Sequence, residues 1–368
     1  MKFMKTKKKL KVHSYFSNKP VLMTGNDAVG EAAIKSGCRF YAGYPITPQN
    51  ELTAYMSRRM RDVGGVFIQA ESELAAINMV FGASSTGTRA MTSSSSPGIS
   101  LKQEGISYIA GCELPAVIVN AQRGGPGLGN IGPSQSDYFQ ATKGGGHGDY
   151  HLIVLAPTSV EEAFTFTVLG FDLADYYRNP VMILSDAIIG QMAEGIVFKK
   201  PRREYPKKKK AWALTGARGR PQNIIRSLYL GERVLEKHNL KLQEKYHLIE
   251  KKEVRFRQCV PENAGLLVVA YGSMYRLAKD IAAELNNSRK RVGLFCPLTL
   301  WPFPYRALEK AAKGIKNILV VEMSYGQMLE DVRLALGKDV SISFFGRAGG
   351  EVPEGEEIID YILKKKLL

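Results

Sequence analysis

Short, nearly unbroken apolar runs alternate with stretches of helical spacing along almost the whole chain, and this alternation constrains the fold more than any single motif. Strands are expected at residues 20–23, 39–43, 66–69, 89–92, 116–120, 152–155 and 181–184. Helical patterns at 26–36, 48–61, 72–83, 99–110 and 159–177 lie between them. Ser159, with Glu162 three residues on, predicts a capping box at the start of the last of these helices. A strand wetted on one face alternates apolar and polar residues, whereas a strand covered on both faces does not. The pattern therefore predicts an α/β fold with a doubly wound, mostly parallel sheet.

After residue 198 the chain changes character. Lys199–Lys210 reads KKPRREYPKKKK, and a helical stretch is expected at 221–251, where Ile224, Ile225, Leu228 and Leu235 recur near helical spacing. A second, smaller α/β unit follows, with strands at 266–270, 291–295, 318–321 and 340–344 and helices at 275–285, 305–312 and 327–336. The expected organisation is a basic arm (1–19), a first α/β domain (20–198), a basic linker with a connecting helix (199–262) and a second α/β domain (263–368).

Lys and Arg total 51 against 35 Asp and Glu, a net charge of +16 concentrated in the arm, the linker and the tail Lys364–Lys366. No nucleic-acid-binding module accompanies these runs, so they read as solvated segments facing an acidic protein partner rather than nucleic acid. The four cysteines are spaced too widely for a zinc or iron–sulfur pattern and read as reduced thiols. The longest apolar runs are too short to span a bilayer, and no apolar signal-type stretch follows the Lys-rich start. The chain reads as cytoplasmic and without a membrane partner.

Several strings at strand-to-helix junctions could carry chemistry. In Tyr44-Pro45-Ile46-Thr47-Pro48, Thr47 suits an N-cap and Pro48 a first helical residue. A helix N-terminus there would also favour a small carboxylate. In Gln69-Ala70-Glu71-Ser72-Glu73, the two carboxylates either complement a helix dipole or place one desolvated carboxyl in a crevice. Arg123, followed by glycines, is a fixed cation at a strand end, suited to gripping a carboxylate. Ser93–Ser96 with Pro97-Gly98 reads as a polar turn. His147, in the string Gly144–Asp149, is a weaker candidate, because two histidines and an Asp make a poor metal set.

Together these strings resemble the 2-oxoacid:ferredoxin oxidoreductase family. GCRFYAGYPITPQNE, QAESELAAIN, TSSSSPGISLKQEGISY, QRGGPGLG and SQSDYFQATKGGGHGD occur in family order over nearly the whole chain. The branched-chain (3-methyl-2-oxobutanoate) alpha-type subunit is the most similar; the 2-oxoglutarate and pyruvate subclasses, and a noncatalytic assembly subunit, stay open as alternatives. The resemblance implies that the first domain binds the pyrimidine of thiamine diphosphate and that the second is transketolase-C-terminal-like. It implies that Glu73 bonds the pyrimidine ring, with Glu71 as the fallback, and that Tyr44, Pro45 and Ser95 line the cofactor. Thr47 and Arg123 would hold the 2-oxoacid. The family's Gly-Asp-Gly and downstream Asn for diphosphate and Mg²⁺ have no counterpart, since Gly148-Asp149 runs into Tyr150. The resemblance thus implies a hetero-oligomer. The diphosphate site and Mg²⁺ would lie on a beta-type partner, the iron–sulfur cluster on a further subunit or ferredoxin, with coenzyme A as co-substrate.

Overall fold

The computed structural model describes residues 19–198, 205–206, 208–288, 291–338 and 340–368. The basic arm and part of the basic linker therefore lie outside the described residues. Along the first unit run β1 Val21–Thr24, α1 Gly25–Lys35, β2 Phe40–Gly43, α2 Asn50–Asp62, β3 Val66–Gln69 and α3 Glu73–Ser85. Next come β4 Ala90–Ser94, α4 Ser96–Gly111, β5 Ala116–Gln122, α5 Tyr138–Thr142 and β6 Ile153–Leu155. The unit continues with α6 Val160–Tyr177, β7 Pro180–Asp186, α7 Ala187–Gln191 and β8 Ala193–Ile196. A connecting helix, α8 Val234–Lys252, leads to β9 Phe256–Cys259, β10 Leu266–Val269, α9 Gly272–Asn287 and β11 Val292–Pro297. Then follow β12 Thr299–Trp301, α10 Tyr305–Ala312, β13 Asn317–Glu322, α11 Gln327–Leu336, β14 Ser341–Gly346 and α12 Gly355–Lys364.

The first sheet has the order β12-β6-β7-β5-β4-β2-β3 and is parallel except at β12. Its central strands β4, β5 and β7 are buried throughout, which is why they read as continuous runs. The second sheet runs β14-β13-β10-β11-β9 and is parallel except at β9. Two strands depart from the expected arrangement. β12, which follows β11 in the chain, pairs with β6 of the first sheet. β1 stays out of the large sheet and forms an antiparallel ribbon with β8.

Local chemistry sets several boundaries. Ser159 Oγ accepts from the Glu162 amide at 3.1 Å, but the Glu162 carboxylate turns back to the Thr158 amide at 2.8 Å, so half of the expected capping box forms. The helix expected from residue 221 begins instead at Val234. Ile224 and Leu228 are exposed on an irregular segment, and the buried stripe is Leu242, Tyr246 and Ile249. Pro221 and Gly231 bracket a stretch of which Ile225 alone among the spaced apolar residues packs against the core. The described part of the basic linker is tied down: Tyr205 bonds Glu253 at 2.5 Å, and Lys210 pairs with Asp175 at 2.5 Å.

Polar clamps join the two units. Gln135 exchanges hydrogen bonds with the backbone of Met323 (2.8 and 3.0 Å) and donates to the Tyr271 carbonyl at 2.9 Å. Asp331, buried on α11, accepts from Tyr138 (2.5 Å), Tyr305 (2.6 Å) and Lys143 (2.6 Å). Buried Asp186 accepts from the amides of Ile189 and Ser273, so one carboxylate serves a helix in each unit. Among the described residues no helix is long and apolar enough to cross a membrane. The four cysteines are unpaired, three of them buried and Cys259 exposed.

Candidate active site

Strands β5, β4, β2 and β3 lie side by side and parallel, so their carboxyl ends form one edge. From β2 the chain moves outward to β3, then returns to the other side of β2 for β4 and β5. Post-strand loops part at such a switch point and leave a crevice, the usual ligand position in open α/β sheets. The loops at this edge carry the Tyr44 string, the two glutamates, the serines and Arg123.

Glu73 opens α3, with Ser72 as N-cap accepting from the Ala75 amide at 3.1 Å. That geometry separates the two glutamates: Glu73 is buried, whereas Glu71 is exposed on the approach to the helix. The Glu73 carboxylate rests against Gly98. A Cβ at that position would lie 2.5 Å from Glu73 Oε1 and 2.1 Å from Ser94 Oγ, so the first turn of α4 can close over the carboxylate only because residue 98 is glycine.

The serines do not form the expected polar turn. Ser93 and Ser94 finish β4, Ser95 is the N-cap of α4, and Ser96 is its first residue. Ser95 makes no side-chain cap bond; its carbonyl accepts from the Gly98 amide at 2.7 Å and the Ile99 amide at 3.3 Å, and its hydroxyl is left over. The hydroxyls of Ser94 and Ser95 are buried without a hydrogen-bond partner. Buried hydroxyls are nearly always paired, so these two are open hydrogen-bonding positions at the strand edge.

Thr47 is not the cap of α2. A turn closed by the Gln49 amide on the Ile46 carbonyl (3.1 Å) delays the helix to Asn50, and Pro48 precedes it. The loop is held from below by Gln49, whose Oε1 accepts from Ser93 at 2.5 Å and Thr53 at 3.1 Å. Tyr41 completes this buried network with bonds to Ser93 (2.6 Å) and Thr53 (3.0 Å), and burial raises its phenol above the ordinary value. Above the network, Tyr44 and Pro45 are exposed and Thr47 is half-buried, accepting from Asn50 at 3.2 Å.

Arg123 meets this loop. Its guanidinium donates to the Thr47 carbonyl at 3.1 Å and to the Leu128 carbonyl at 3.0 Å, while Nε has no partner. The Arg123 amide donates to Ser96 Oγ at 3.0 Å, and Ser96 in turn bonds Asp137 at 2.6 Å. Loop 123–132 folds back tightly: at Gly129, with φ of +60°, a Cβ would fall 1.7 Å from the Gly124 carbonyl oxygen. Thr47 and Arg123 thus sit together, and Ser96 ties Arg123 to the helix that covers Glu73.

The histidines lie elsewhere. His147 is exposed, and its carbonyl accepts from Ser107 at 2.5 Å. His151 stacks on Trp301 at 4.5 Å, with burial lowering its proton affinity. The sequence reading missed Lys102, which is fully buried on α4 and donates to the Glu73 carbonyl at 3.3 Å. Its signal was the spacing Ile99, Lys102, Ile106, which puts a lysine on an otherwise apolar helix face.

Known proteins share this architecture. Residues 31–257 match the pyruvate flavodoxin/ferredoxin oxidoreductase, thiamine-diphosphate-binding family, and residues 264–358 match pyruvate:ferredoxin oxidoreductase core domain II. The ketoisovalerate oxidoreductase subunit VorB of Methanothermobacter marburgensis is 49% identical over 339 residues, covering 92% of this chain and 96% of that protein. The 2-oxoglutarate synthase subunit KorA of Archaeoglobus fulgidus is 40% identical over 330 residues, covering 88% and 94%. The 2-oxoglutarate:ferredoxin oxidoreductase of Magnetococcus marinus, solved with 2-oxoglutarate, coenzyme A and succinyl-CoA bound, superposes with a TM-score of 0.85. It is 28% identical, and the match covers 95% of this chain and 66% of that longer one. A split-gene transketolase (TM-score 0.57, 12% identical, 93% and 97% covered) shares the fold alone. Matched over most of its length in sequence and in fold, the chain belongs to the thiamine-diphosphate-dependent 2-oxoacid:ferredoxin oxidoreductase family.

Proposed function

We propose that this chain is the pyrimidine-binding subunit of a cytoplasmic branched-chain 2-oxoacid:ferredoxin oxidoreductase, which converts 3-methyl-2-oxobutanoate and coenzyme A to acyl-CoA and CO₂ and passes the electrons released to ferredoxin. The carrying observation is the buried Glu73 carboxylate at the switch-point crevice, beside two buried hydroxyls without partners. A flat heterocycle with a polar edge fits those groups: Glu73 would share a proton with a ring nitrogen, and Ser95 would bond the ring's polar substituent. When bound, thiamine diphosphate supplies the nucleophilic carbon and the electron sink, and the protein positions it. Tyr44 and Pro45 would form the rim. Thr47 and Arg123 would hold the substrate carboxylate, Arg123 through the Nε that the loop leaves unpaired. The greater identity to the ketoisovalerate subunit than to the 2-oxoglutarate subunits favours the branched-chain substrate.

The crevice would be completed by another chain. Leu74, Leu101, Leu128 and Ile131 are exposed on the helices and the loop around it, an apolar rim suited to a protein partner. We assign the diphosphate and Mg²⁺ site to a beta-type subunit, and the iron–sulfur cluster to a further subunit or to ferredoxin. The first α/β domain would carry the site, and the second would serve assembly. The test is anaerobic viologen reduction by the co-purified complex with thiamine diphosphate, Mg²⁺, coenzyme A and a panel of 2-oxoacids. Highest activity with 3-methyl-2-oxobutanoate is expected; a complex that binds thiamine diphosphate yet oxidises none of the panel would contradict the reading.

Arg123→Ala is expected to raise the KM for the 2-oxoacid by roughly ten- to a hundredfold, the loss of a charged hydrogen bond of about 1.5–3 kcal/mol. Steady-state kinetics of the assembled enzyme measures it, and an unchanged KM would remove Arg123 from the substrate site.

A further inference from the structure

Lys102 is the buried cation that the roles above leave unused. Its side chain runs from the middle of α4 to the underside of the first turn of α3, where Nζ donates to the Glu73 carbonyl at 3.3 Å and to Thr92 Oγ1 at 3.1 Å. A fully buried ammonium with two neutral acceptors is costly unless a charge compensates it.

The surroundings leave Glu73 to do so. Helix α3 carries Glu73 as its single ionisable side chain, and strands β4 and β5 carry none. Strand β7 ends in Asp186, whose carboxylate is engaged by the Ile189 and Ser273 amides. On α4 itself, Glu104 is exposed and bonded to Tyr108. Asp137 is bonded to Ser96 and Asn120, and Glu71 is exposed. Burial lowers the Lys102 ammonium to about 7, with attraction to the Glu73 carboxylate opposing the shift.

We propose that Lys102 is a positioning residue for the reaction: it anchors the backbone of Glu73 from beneath and supplies the positive charge against which the Glu73 carboxylate takes up and gives back its proton. The inference rests on the reading of Glu73 as the proton-sharing group. Lys102 has no access to the crevice, so it acts through Glu73. As pH rises past about 7 the buried ammonium gives way to the amine, and the first turn of α3 loses the positive charge held beneath it. Hence turnover falls as pH rises through the Lys102 titration, in addition to any limb due to other groups.

The test uses the assembled complex from about pH 6 to about pH 9, a span that brackets the titration. Lys102→Met, similar in length and uncharged, is expected to lower kcat roughly tenfold at the acid end, the loss of one charged hydrogen bond to the Glu73 backbone, and to remove the part of the alkaline limb that Lys102 contributes. Lys102→Arg, charged throughout, is expected to keep kcat nearer the original and move the limb upward. Calorimetric titration with thiamine diphosphate in buffers of different ionisation heat counts the protons exchanged on binding. The diphosphate's own ionisation contributes equally to every complex, so the readout is the difference: the Lys102→Met count should depart from the unmodified one by an amount that changes with pH through the same range.

A Lys102→Met enzyme that is slower by the same factor at every pH, with the limb and the proton count intact, would overturn the proposal and leave a packing role. If the Met variant does not assemble, the Lys102→Arg complex decides: a pH profile and proton count identical to those of the unmodified complex overturn it. Failure of the underlying reading is distinguishable, because a Glu73→Gln complex would then bind thiamine diphosphate and turn over normally whatever residue 102 is.

Discussion

Glu73→Gln is expected to lower turnover of the assembled enzyme by about 10²- to 10⁴-fold, the range for losing a positioned proton-transfer group, while leaving assembly intact. Glutamine has nearly the same shape, so it still fills the space against Gly98, and the N-cap of α3 belongs to Ser72. What it loses is the exchangeable proton. The exposed carboxylate of Glu71 provides the control: Glu71→Gln should leave kcat within about twofold, because Glu71 lies outside the buried space against Gly98 that Glu73 fills. Anaerobic steady-state assays on both variants check the pair. A normal rate for the Glu73→Gln enzyme together with a slow Glu71→Gln enzyme would move the role to Glu71.

The second large effect concerns how the second unit is held to the first. Asp331→Ala is expected to destabilise the chain by about 3 kcal/mol, because it leaves buried hydroxyls without their acceptor. Tyr138 is fully buried on α5 and Tyr305 half-buried at the start of α10, and both phenols are raised by burial and by this carboxylate. Lys143 is half exposed and would turn to solvent. Asp331→Asn keeps an acceptor and should lose less. Chemical denaturation of the two variants checks the order; equal midpoints for the Asp331→Ala variant and the unmodified chain would show that the cluster contributes nothing to the join.

The large-scale fold was legible because the central strands are covered on both faces. Ala116–Gln122 and Pro180–Asp186 are buried at every position, so their sequences read as apolar runs that no helix pattern mimics. Edge strands left no such trace. Phe256–Cys259 is exposed along its length, and Thr299–Trp301 is too short to show a period. The segment 221–230 misled for the opposite reason: Ile224, Ile225 and Leu228 have helical spacing, but only Ile225 packs against the core while Ile224 and Leu228 are exposed.

At the crevice, the strings pointed to loops that the fold brings to one edge, but not to what holds them. Spacing could not separate Glu71 from Glu73; burial behind the Ser72 cap does. Thr47-Pro48 has the look of a helix start, yet the loop is pinned one residue further on, where Gln49 reaches down to Ser93. Arg123 reads as a fixed cation at a strand end, but the sequence does not show that backbone carbonyls of two loops hold its guanidinium. Lys102 is one of the charges that make up +16, although its position between Ile99 and Ile106 places it inside. Each of these depends on contacts across loops, which local pattern does not encode.

The central claim is that Glu73 meets thiamine diphosphate in a crevice completed by another chain. Calorimetric titration of thiamine diphosphate with Mg²⁺ into this chain alone, into its co-purifying partner alone and into the complex tests it most directly. Tight binding to the complex, weak or no binding to this chain alone, and weaker binding to a Glu73→Gln complex are the predicted results. Equally tight binding by this chain alone, or an affinity indifferent to residue 73, would contradict the account.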